Sequence, residues 1–147
     1  MDTEYFKGLA DHYHRIARGL FVRDGVYFPM LYAIDKDRTL PVGLHEDKRE
    51  ISEIMEAIKD TCDSIILIIN MNFIDYGDEK PENLPDTVED DDPNASQALI
   101  CFLYTKNESF MRLFRYAKEG EKVAFIEQDW EPMEELSGKF SNPFKKD

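Results

Sequence analysis

Glycine is scarce and scattered: seven residues, at positions 8, 19, 25, 43, 77, 120 and 138, and never two together. A phosphate-cradling loop needs several glycines within one short stretch, so nucleotide-loop chemistry is excluded. Cysteine is scarcer still. Cys62 and Cys101 are too few for a disulfide framework or a zinc site, and their apolar surroundings ("DTCDSIILII", "ALICFLY") read as two reduced, buried thiols. The longest apolar run, Ser64–Ile74, is far shorter than the roughly 20 residues that span a bilayer. The opening "MDTEYFKGLADHYH" has no basic stretch followed by an apolar core, so no secretory leader and a cytoplasmic location are expected. Bases are outnumbered, 18 to 31, and the net charge of −13 sets long-range repulsion against free nucleic acid as a direct ligand. No serine or cysteine stands in a nucleophile context such as G-x-S-x-G, so no catalytic residue is named and no cofactor is expected.

Ten phenylalanines and seven tyrosines in 147 residues are enough to build one real core, which excludes a disordered chain and fits a single domain over 1–147. Phe6, Leu9, Ala10, Tyr13, Ile16, Ala17 and Leu20 recur at steps of three and four, which predicts an amphipathic helix from Asp2 to about Leu20. Ile51, Ile54, Met55, Ile58 and Cys62 predict a second, with Asp47 and Glu50 placed as a capping box at its start. Between the helices, "GVYFPMLYAIDKDRTLPVGLH" reads as two strands turning at Asp35–Arg38. Pro29 and Pro41 lack the N–H of a central ladder and belong at a strand end, a bulge or an open edge. Further strands are expected at Ser64–Phe73, Gln97–Tyr104, Ser109–Ala117 and Glu121–Gln128, the last three forming a meander. The fold class is therefore α+β: a largely antiparallel sheet of about six strands, with two helices expected to cover much of one face. A short tail over 138–147 has Phe140 and Phe144 as candidate tethers.

The segments "RDGVYFPMLYAIDKD", "SIILIINMNF" and "EDDDPNASQALICFLYTKNES" occur in that order over residues 20–110. In this the chain resembles a group of small bacterial and phage proteins of unknown function. The resemblance implies the same strand order and carries no activity. Many of that group have a Glu and a Trp at the end of the third strand, where this chain has Asn70, Met71, Asn72 and Phe73.

Negative charge is localised. Residues 75–94 hold nine acids and one base, and "EQDWEPMEE" (Glu127–Glu135) holds five acids and no base, which together account for the whole net charge. Asp90, Asp92, Asn94 and Ser96 alternate like the start of a calcium loop, but Ala95 stands where glycine is needed and Cys101 where a bidentate Glu is needed. The metal question stays open on sequence. Four successive carboxylates, Glu89, Asp90, Asp91 and Asp92, advance about 3.3 Å per residue when extended, close to the phosphate spacing of a nucleic-acid strand. They are the primary candidates for binding a basic protein surface, including that of a nucleic-acid-binding protein. Trp130 and Glu131 are the second patch, an aromatic among acids that suits a cationic partner. The expected function is a non-catalytic acidic interaction module of the inhibitor, immunity or nucleic-acid-mimic type. The alternative is a divalent-metal-dependent enzyme or small-ligand binder using the same carboxylates. A homo-oligomer is a third arrangement, in which Lys7, His14, Arg15 and Arg18 on one flank of the first helix meet the acidic loop of a second copy. His12 and His14, two apart on a helix, cannot chelate one ion and are expected to be exposed.

Overall fold

A computed structural model describes residues 3–25, 29–36, 38–43, 48–73, 96–119, 122–132 and 142–145. The first helix, α1, runs Thr3–Asp24, with Glu4 in its first turn and Arg23 in its last, each suited to the helix dipole. Gly25 ends it in the left-handed region (φ 76°), and its N–H donates to the Phe21 carbonyl at 2.8 Å. The buried stripe is Phe6, Ala10, His14, Ala17 and Phe21. It is rotated from the expected face: Leu9 and Tyr13 flank it, while Ile16 and Leu20 are exposed. The periodicity was legible, but seven apolar residues span too wide an arc for all to face inward at 100° per residue.

Strands β1 (Met30–Asp35) and β2 (Arg38–Gly43) form a tight hairpin in which Asp35 pairs with Arg38 and Lys36 adopts positive φ. Helix α2 (Lys48–Ile58) follows and runs through a 3₁₀ turn into β3 (Ser64–Phe73). Then come β4 (Ser96–Thr105), β5 (Ser109–Glu119), β6 (Lys122–Glu127) and the two-residue β7 (Glu131–Pro132). The sheet order is β2-β1-β3-β4-β5-β6, with β7 also on β5, and every pairing is antiparallel. This is the α+β domain expected, with β7 added to the six strands.

The helices lie on opposite faces, which corrects the expectation that both cover one. On one side α2 contributes Ile51 and Met55 to a core with Leu31, Ile65, Leu67, Ile100 and Phe102. On the other, α1 contributes Phe6, Ala10 and Ala17 to a core with Ile34, Ile66, Ile68, Leu99 and Leu103. The reason is in β3, where Ile65 to Ile69 are all buried. An apolar run without alternation demands cover on both faces, and one-sided burial would leave two or three of those side chains in water at roughly 1.5–3 kcal/mol each. Asn142 closes the lower end of the sheet: its Nδ2 donates to the carbonyls of Thr105 (2.9 Å) and Glu108 (3.1 Å), and its Oδ1 accepts from the Phe144 N–H. Phe144 packs on the α2-side core; Phe140 lies outside the described residues.

Candidate functional site

The acidic segment joins the two central strands. Phe73, the last residue of β3, pairs with Ser96, the first of β4. Both ends of the 74–95 connection are thus fixed opposite each other in one ladder, at the end of the sheet where α1 terminates, since Phe21 packs on Tyr116 and Tyr116 pairs with Gln97. Glu89, Asp90, Asp91 and Asp92, and the capping residue Asp47, lie outside the described residues.

Trp130 and Glu131 occupy the edge beyond β5. Glu127 pairs with Phe114 and Glu131 with Met111, so Gln128, Asp129 and Trp130 span only Leu113 and Arg112. One extra residue makes this a bulge, which redirects side chains. Trp130 turns its half-buried ring onto the α1-side core, with the indole N–H buried and unpartnered, while Glu131 is exposed. From Met111, level with Glu131, to Tyr116, level with the anchor of the acidic segment, is about 17 Å along the strand. The anchor of the acidic segment and the Trp130–Glu131 bulge thus lie at different levels of β5.

Beneath α1 the structure assembles a polar group that sequence reading dispersed or missed. Arg112 sits on the same face of β5 as Phe110 and Phe114; its Nη1 donates to Asp11 at 2.5 Å and its Nε to the Gln128 carbonyl in the bulge at 2.8 Å. His14 is 1% exposed, which corrects its expected surface position. Its ring stacks on Phe114 at 4.1 Å, and its Nε2 donates to the Leu99 carbonyl at 3.0 Å. A carbonyl only accepts, so Nδ1 carries no proton, and it is buried without a partner. Burial holds the imidazole down at about pKa 4; the Leu99 bond opposes this, while Arg18 and Arg112 add to it. The signal for Arg112 was available: one charge in an otherwise apolar alternating row, "FMRLF".

The supposed basic flank of α1 is engaged within the chain. Lys7 lies 4.4 Å over the Phe110 ring and 3.6 Å from Glu4, and Arg18 lies 4.2 Å over the Phe114 ring. Only Arg15 and His12 of that stretch are exposed basic or imidazole side chains. Both cysteines are buried, and burial raises their pKa, that of Cys62 to about 11. Among the described residues no three His, Cys, Asp or Glu side chains are grouped to hold a metal ion, and no helix is long and apolar enough to cross a membrane. Two clefts open at the end of the sheet opposite the Phe73–Ser96 pair, one of about 290 Å³ beside Thr3, Asp63 and Glu108 and one of about 340 Å³ beside Lys59, Lys106 and Phe144.

Set beside models of protein families, curated proteins and solved structures, the chain matches none of them.

Proposed function

We propose that this chain is a non-catalytic acidic interaction module, acting in the cytoplasm, that binds a basic protein surface through residues 75–94. Glu89, Asp90, Asp91 and Asp92 form its principal contact. One observation carries the reading. A segment of net charge −8 is inserted between neighbouring central strands whose ends pair directly, Phe73 with Ser96. A sheet needs only a two-residue turn there. Connections of about twenty residues within a compact domain are uncommon and often functional. Both ends of the segment are anchored at the sheet centre, and its concentrated negative charge favours fast, electrostatically steered association with a groove lined by lysine and arginine. Glu131, exposed on the edge strand, is a secondary contact, and the buried face of Trp130 fixes its position.

The test is affinity capture from native lysate, at low and moderate salt. The baits are the natural chain and a variant carrying Glu89→Gln, Asp90→Asn, Asp91→Asn and Asp92→Asn. Partners retained only by the natural chain and released by salt are the expected result. Equal capture by both baits removes the proposal.

A further inference from the structure

We draw no further inference here: the strongest candidate, the apolar flank of α1 formed by Leu9, Tyr13, Ile16 and Leu20 on the side where Tyr13 stacks on Tyr32 of β1, is an unpartnered face, and nothing in the structure shows what covers it.

Discussion

His14 is a titratable side chain sealed beneath a helix with one nitrogen bonded and the other bare. Its folded pKa, about 4, lies below the ordinary 6.5, so as pH falls the unfolded chain takes up a proton first. The stability it contributes is whole above pH 6.5 and is lost progressively down to about 4. A displacement of that size corresponds to about 3 kcal/mol across the window. Urea unfolding at pH 7.5, 6.5 and 5.5 should show this decline in the natural chain and a flatter profile in His14→Leu; equal slopes contradict the assignment. Cys62 and Cys101 give a second expectation. With thiols buried and their pKa raised, neither reacts with a maleimide in the native state at neutral pH, and both react in urea. Rapid native labelling of either cysteine contradicts their placement.

Both edges of the sheet carry proline. Pro41 of β2 pairs with Tyr32, and Pro132 of β7 pairs with Phe110. A residue without an N–H can occupy only a pair that is not hydrogen-bonded, where backbone groups point away from the neighbouring strand. The missing donors therefore fall on the outer rims, where they block addition of another strand. Pro41→Val should leave the unfolding midpoint close to that of the natural chain and increase self-association in light scattering; unchanged scattering contradicts this role for the rim. Elements of this kind were largely legible from sequence, because period-two and period-3.6 patterns record which residues meet water. The strands at Ser64–Phe73 and Ser96–Thr105 lie within a residue of their expected bounds. Facing was less legible. The stripe of α1 turned to include His14 and exclude Ile16, since stacking on Phe114 and the Leu99 carbonyl compensate a buried imidazole, and neither partner is local in sequence. The Asp11–Arg112 pair joins residues 101 apart and leaves no local trace. Of the candidate site, the sequence marks the charge of residues 75–94 plainly, while the pairing of Phe73 with Ser96 that makes it an insertion needed the sheet register.

At the scale of the molecule, a neutral α+β scaffold bears its charge in two stretches, since residues outside 75–94 and 127–135 hold 17 acids and 17 bases. The strands that flank the larger stretch pair directly over ten positions. Replacing residues 75–94 by a two-residue turn shortens the closed loop several-fold, which lowers closure entropy by about 1–2 kcal/mol and removes self-repulsion. The decisive measurement compares this shortened chain with the natural one, both for urea stability and for partner capture at low salt. Equal or greater stability with capture abolished is the expected result and assigns binding to the acidic segment alone. Capture that survives the replacement contradicts the account and returns the binding surface to the scaffold.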